Sequence, residues 1–224
     1  MKRYVTEFVG TFLFVLVIGL AATRPPSLAI FAPVAIGIAL ACMVYMGGHI
    51  SGGHYNPAVT LGVWLRGKMP VADVLPYWIA QMVAAVLAAY VVNTSNSTVA
   101  SELTNQMVTA TFQARPGAGV SVMHALILEA IFTFALVLVV LQVATHPAVA
   151  KNSFYGFAIG GVVLAGAYAA GPISGGAFNP AVGVGPAILA GTEAFMASWI
   201  YVVGPFIGSL LAVGVFKLQG GMEA

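Results

Sequence analysis

Six stretches of this chain, residues 4–22, 31–48, 75–92, 122–143, 154–170 and 194–218, are apolar over about the length an α-helix needs to cross a bilayer. Inside lipid no water is at hand to satisfy a backbone N–H or C=O, so a crossing segment must close its own hydrogen bonds, as a helix or within a closed barrel. Runs this long select the helix. The composition agrees: 60% of the residues are hydrophobic and 6% are charged, where a soluble domain carries roughly a quarter charged. The reading is an all-α membrane protein with six transmembrane helices. A net charge of +2 spread over so few ionisable groups gives no basis for binding nucleic acid. Cys42, the single cysteine, lies in an apolar run and reads as a small buried side chain with no redox or metal role. Lys2-Arg3 ahead of the first run imitates a signal peptide. The run is long and lacks a small-residue cleavage site, so it is read as the first span.

Two segments fit neither a span nor a surface loop. Residues 50–65 and 173–190 begin with polar, glycine-broken sequence and continue apolar. They also repeat each other: Ile50-Ser51-Gly52-Gly53-His54-Tyr55-Asn56-Pro57-Ala58-Val59 returns as Ile173-Ser174-Gly175-Gly176-Ala177-Phe178-Asn179-Pro180-Ala181-Val182. In each copy Asn is a favoured N-cap, because its side-chain oxygen accepts an orphan backbone N–H, and Pro suits the first helical position. The small Ala58 and Ala181 let two such ends approach closely. The expectation is a pair of re-entrant half-helices, tolerated at membrane depth only where protein or a wet cavity surrounds them.

The repetition extends further. Glu7-Phe8-Val9-Gly10-Thr11 matches Glu129-Ala130-Ile131-Phe132-Thr133 at a separation of 122 positions, and the two asparagines stand 123 apart. The chain therefore reads as one channel domain, 1–224, made of repeats 1–95 and 122–224 joined by 96–121. The polar stretch 93–119, rich in Ser, Thr, Asn and Gln, is expected to be a connecting loop. Three spans per repeat force the second to enter from the opposite face, so the repeats are inverted. Lys2, Arg3, Arg66, Lys68, Lys151 and Lys217 fall on one side of the six-span scheme and Arg24 and Arg115 on the other. By the excess of basic residues the termini are cytoplasmic.

Half-helices entering from opposite faces would meet by their N-termini, each dipole end worth about half an elementary charge. Such a centre repels cations and offers donors to a neutral polar solute. Gly52, Gly53, His54 and Tyr55, with Gly175, Gly176, Ala177 and Phe178, would present a track of carbonyl acceptors, while Asn56 and Asn179 direct amide N–H groups into the passage. Glu7 and Glu129 are the carboxylates set well within expected spans. A charge there marks function by default, and their symmetric placement favours accepting hydrogen bonds from the re-entrant backbone over relaying protons. His49, His54, His124 and His146 show no metal-like pairing, although His54 can line the passage. Gly10, Gly37, Gly156, Gly160, Gly161 and Gly166 read as close-packing positions. No nucleophile is paired with a base and no phosphate, metal or cofactor motif is present, so nothing points to an enzyme.

These residues resemble the major intrinsic protein family, the aquaporins and aquaglyceroporins, from Glu7 to about Pro205. The resemblance rests on the Glu-x-x-x-Thr start of each repeat, on Ser51 to Thr60, and on Asn179-Pro180-Ala181 with Gly185-Pro186-Ala187 behind it. It implies a homotetramer in membrane lipid, one pore per subunit, and passive diffusion. It also implies an outer selectivity filter at Ile36, Ala167, Gly176 and Val182. The family usually has an arginine directly after the second Asn-Pro-Ala, and water-selective members add an aromatic and a histidine. Here Val182 stands in the arginine's place and neither of the others is present. A wider, apolar filter implies neutral permeants larger than water: glycerol, small polyols, urea, and metalloid hydroxides such as arsenous acid, since bacterial members lacking the arginine are associated with metalloids. A secondary transporter also uses inverted repeats with broken helices, and a closed membrane scaffold on the same fold is a third reading.

Overall fold

The computed structural model describes residues 1–24, 26–103 and 111–221. The described residues contain helices and no strand. The helices are α1 (Lys2–Ala22), α2 (Ala32–Ser51), α3 (Pro57–Leu65), α4 (Val71–Leu103), α5 (Val122–Val140), α6 (Tyr155–Ser174), α7 (Pro180–Ala190) and α8 (Ile200–Leu218), with shorter turns between them. Six segments among the described residues are long and apolar enough to cross a membrane, and α3 and α7 are the two half-helices.

Packing repeats as the sequence does. Helix α1 lies against α2 and α4, just as α5 lies against α6 and α8; α2 meets α6 across the centre. Each half-helix also reaches into the other repeat, α3 against α8 and α7 against α4. Neither repeat can complete its core alone. The exterior is apolar, with Ile79, Val83, Leu87 and Tyr90 exposed at helical spacing along α4 and Ile207, Leu210 and Leu211 along α8. With lipid as solvent such a surface needs no polar cover.

Small residues set the helix approach. A Cβ on Gly37 would stand 2.7 Å from the Gly160 carbonyl oxygen, and one on Gly160 would collide with that of Gly37. Gly10 leaves room for the Tyr55 ring, Gly156 for Tyr45 and Gly166 for Phe178. Gly161 is the exception to the expectation, since a Cβ there meets nothing within 4 Å.

Several boundaries differ from the sequence reading. The expected loop 93–119 is helical up to Leu103 as the end of α4, while 104–110 lie outside the described residues. The polar residues that suggested a loop serve as ties. Asn96 Nδ2 donates to Thr23 Oγ1 at 2.8 Å beyond the end of α1, and Asn93 Oδ1 accepts the Phe112 N–H at 3.0 Å from the returning chain. The last apolar run is broken into Thr192–Ala197 and α8. Ser198 makes the break, its N–H and its Oγ both donating to the Phe195 carbonyl, at 3.1 and 2.6 Å. Ile50-Ser51 and Ile173-Ser174 are the last turns of α2 and α6 and not the first residues of the loops. Cys42 is exposed on α2, contrary to the buried placement expected of it, because an apolar run at a lipid-facing surface carries no information about burial.

The glycine contacts predict that Gly160→Leu destabilises the detergent-solubilised protein by roughly 1–3 kcal/mol, the cost of overpacking, and so lowers its thermal midpoint. Gly161→Ala should hold or slightly raise it, as Ala gains about 1 kcal/mol over Gly inside a helix. A fluorescence-detected thermal melt of both variants checks the contrast.

Candidate functional site: the junction of the two re-entrant loops

Each loop is built the same way. Helices α2 and α6 end on left-handed glycines, Gly52 (φ 94°) and Gly175 (φ 98°), followed by Gly53 (φ 64°) and Gly176 (φ 63°). Tyr55 (φ 49°) and Phe178 (φ 48°) then take the left-handed region although they have side chains, a costly conformation that the surroundings must enforce. Asn56 and Asn179 follow in extended backbone and cap α3 and α7, their Oδ1 atoms accepting the N–H groups of Ala58 and Ala181 at 2.9 Å. This is the capping geometry expected of Asn-Pro-Ala.

Two buried carboxylates hold the loops. Glu7 Oε1 accepts Ser51 Oγ at 2.7 Å and the His54 N–H at 2.9 Å, and its Oε2 accepts the Tyr55 N–H at 2.7 Å and Gln81 Nε2 at 2.8 Å. Glu129 repeats the pattern with Ser174 Oγ at 2.7 Å, the Ala177 N–H at 3.1 Å and the Phe178 N–H at 2.6 Å. Both side chains are fully buried. Every oxygen of the pair is thus engaged in fixing loop shape. Tyr77 and Tyr201 add a second tie, their hydroxyls donating to the carbonyls of Ser51 and Ser174 at 2.7 and 2.6 Å.

The repeats are then stitched together at the centre. Asn56 Nδ2 donates to the Phe178 carbonyl and Asn179 Nδ2 to the Tyr55 carbonyl, both at 2.9 Å. Each amide has one further N–H to offer. The first loop alone carries an extra layer: Gln81 Nε2 also donates to Thr60 Oγ1 at 3.1 Å, and His54 Nδ1 lies 3.1 Å from the same oxygen. At the corresponding places in the second repeat stand Pro205, Gly183 and Ala177, which cannot form it.

Three cavities run past this junction. One of 900 Å³ lies on the side of the linker and is lined by Ile36, Ala167, Gly176 and Val182, with Gly175, Ala177, Arg24 and Arg115. One of 560 Å³ lies on the side of the chain start and is lined by Arg3, His49, Lys68 and Asp73, with Gly52 and His54. Between them is a space of 20 Å³ lined by Gly52, Gly53, His54, Tyr55, Ala177, Asn56 and Asn179 with apolar neighbours. The four residues named as a filter are thus brought together around one cavity. Of the eight named as a carbonyl track, seven line a cavity. Phe178 lines none, being packed against Phe132 and Gly166 with its carbonyl taken by Asn56. His124 and His146 stand elsewhere, at the N-termini of α5 and of the turn Pro147–Val149.

Sequence reasoning missed the outer layer of support: Tyr77, Tyr201, Gln81, Trp78, whose Nε1 donates to the Pro57 carbonyl at 3.1 Å, and Ser209, whose Oγ donates to the Ala58 carbonyl at 2.8 Å. The tyrosines stand 124 positions apart, so the repeat offset already contained that signal. Trp78 and Ser209 have no repeat partner of their type and carried none.

Six spans, two half-helices meeting by their N-termini and cavities on both sides define an inverted-repeat membrane channel. The chain belongs to the major intrinsic protein family, whose model it matches over residues 1–216. It is 37% identical to a probable TIP-type aquaporin of Nicotiana tabacum, covering 95% of this chain and 84% of the relative. It is 31% identical to a glycerol uptake facilitator-like protein of Lactiplantibacillus plantarum, covering 100% of both. The X-ray structure of the aquaglyceroporin from Plasmodium falciparum superposes with a TM-score of 0.80 at 23% identity, covering 96% of each chain, and shows the same fold.

The carboxylate geometry predicts that Glu7→Gln and Glu129→Gln each lower thermal stability, because an amide opposes N–H donors with an NH2 group. A buried donor left without its acceptor costs about 1–3 kcal/mol, so the thermal midpoint of either variant should fall clearly below that of the wild type.

Proposed function

We propose that the protein is a passive channel for small neutral solutes: water, glycerol and small polyols, with urea and metalloid hydroxides such as arsenous acid as further candidates. The observation that carries this reading is the meeting of two capped half-helix N-termini between open cavities. The dipole ends disfavour cations there, and the asparagine amides supply donors to an uncharged hydroxylic solute. The four proposed filter positions, Ile36, Ala167, Gly176 and Val182, contribute small or apolar groups and no fixed charge, which suits solutes larger than water. The names of the relatives, an aquaporin and a glycerol uptake facilitator-like protein, point the same way.

A coupled transporter needs a group free to change its proton or ion load. Glu7 and Glu129 are the obvious carriers, and their oxygens are bound to the loops, which favours the passive reading. The membrane setting belongs to the same proposal. The mouth bearing Arg3 and Lys68 faces the cytoplasm and the mouth bearing Arg24 and Arg115 faces outward, as the excess of basic residues favours, in a bacterial inner membrane. The apolar exterior accepts lipid and sister subunits in a homotetramer.

Stopped-flow swelling of proteoliposomes tests the reading. Wild-type vesicles should exceed empty ones in both water and glycerol permeability. Val182→Arg should cut glycerol flux by roughly tenfold or more, the scale on which a single side chain discriminates, while sparing water. Permeability equal to empty vesicles for every solute, water included, would refute the channel.

A further inference from the structure

Two arginines, Arg24 and Arg115, line the cavity on the side of the linker, and no aspartate, glutamate, lysine or histidine lines it with them. Both side chains are exposed, and among the described residues neither forms an ion pair. The opposite mouth differs: there Arg3, Lys68 and His49 share the lining with Asp73, which pairs with Arg3 at 3.4 Å. The linker-side lining therefore carries positive charge and no negative charge, although Val182, directly behind the second Asn-Pro-Ala, is apolar and 3% exposed.

One face of α4 holds both arginines in place. Asn93 and Asn96 stand three residues apart near the end of that helix, a spacing that puts them on the same side. Asn96 Nδ2 donates to Thr23 Oγ1 at 2.8 Å, and that hydroxyl donates to the Gly19 carbonyl at 2.6 Å, which fixes the residue before Arg24. Asn93 Oδ1 accepts the Phe112 N–H at 3.0 Å, and the Phe112 ring is buried against α1, 2.9 Å from where a Cβ on Gly19 would stand. Two residues past Arg115, the Gly117 N–H donates to the Ile173 carbonyl at 2.9 Å. A Cβ on Gly117 would collide with the Pro172 carbonyl, and one on Gly175 would stand 2.9 Å from both the backbone N and O of Arg115. The stretch 112–117 is thus pinned at both ends and laid over the start of the second re-entrant loop. Arg115 packs on Gly175, and the next residue is Gly176, one of the four proposed filter positions.

We propose that Arg115, with Arg24 beside the same cavity, supplies the fixed positive charge of the linker-side mouth and sorts solutes by charge before they reach the half-helices. This rests on the passive-channel reading and specifies what the mouth of that channel selects. A cation is repelled from the cavity, an anion is drawn into it, and a neutral solute enters without an electrostatic cost. Position 182 does not have to carry the charge, because the connecting segment does. A guanidinium stays protonated in proteins, so ionic strength and not pH governs the effect.

The test reads the potential in the cavity and needs no flux. With the exposed Cys42 replaced by Ser, Gly171→Cys sets a reporter thiol in the lining, at a place where a Cβ meets nothing within 4 Å. Ala167→Cys, one turn earlier on α6, is a second reporter. Purified protein in detergent, verified as folded by gel filtration, is labelled with a sulfonate-bearing or a trimethylammonium-bearing methanethiosulfonate, and the rates are followed by intact mass and normalised to a free thiol. The anionic reagent should be favoured. Arg115→Gln should lower the anion-to-cation rate ratio by roughly threefold or more at low ionic strength, since one unit charge acts with opposite sign on the two reagents. Arg24→Gln should lower it as well, Arg115→Lys should keep it, and salt at about 0.5 M should flatten the preference. A ratio that Arg115→Gln leaves unchanged at both reporters, or thiols that neither reagent reaches in folded protein, would overturn the proposal. Proteoliposomes no more permeable than empty ones, with the charge preference intact, would overturn the channel reading alone.

Discussion

The structure depends on two carboxylates buried inside the bundle. Glu7 and Glu129 each draw the N–H groups of a loop onto one side chain, and those N–H groups have no helical partner. At membrane depth an unsatisfied backbone group costs several kcal/mol, so a loop there exists only if something accepts its donors. The carboxylates do this and also enforce the left-handed backbone of Tyr55 and Phe178. That conformation aims Asn56 and Asn179 at the centre. A buried polar group that would be costly alone becomes the condition for a break in the helix.

Once the loops are held, the inverted repeat closes on itself. The amide of each asparagine divides its functions: the oxygen caps its own half-helix and one N–H donates to the other repeat. Neither half-helix can tilt without breaking a bond in the opposite half. Close approach at Gly37 and Gly160 on the central α2 and α6 pair serves the same end. The first loop has more hydrogen bonds than the second, since Gln81, Thr60 and His54 form a network that Pro205, Gly183 and Ala177 cannot. The duplication conserved the frame and let one side gain extra bracing.

The architecture was legible because its determinants are local. Apolar length gave the spans, and Asn-Pro with preceding glycines gave the half-helices, whose caps formed as expected. Glu7 and Glu129 could be assigned to the loops because the repeat placed both at one position. What was not legible depends on contacts across the fold. Asn93 and Asn96 looked like loop residues because polarity was their only visible trait, and their partners Phe112 and Thr23 lie far along the chain. Ser198 breaks the last span through a bond to Phe195 that hydropathy does not register. Gly161 shares a pattern with Gly160 but faces open space. Trp78 and Ser209 support α3 from helices of different repeats, a relation that appears only once α3 is packed.

Reading the chain for its missing arginine directs attention to Val182 and the mouth. Electrostatics directs it inward as well, to the junction of the two half-helices. Two dipole ends of about half a charge each weigh little in a wide wet vestibule, where water screens them, and much more in a narrow apolar ring of low dielectric constant. The central space has an apolar side that includes Phe14, Leu40, Leu136 and Val163, and a polar side that includes His54, Asn56 and Asn179. The fold's own half-helices therefore bring positive dipole ends to the junction whatever residue stands at position 182, while Arg24 and Arg115 still line the mouth beyond it.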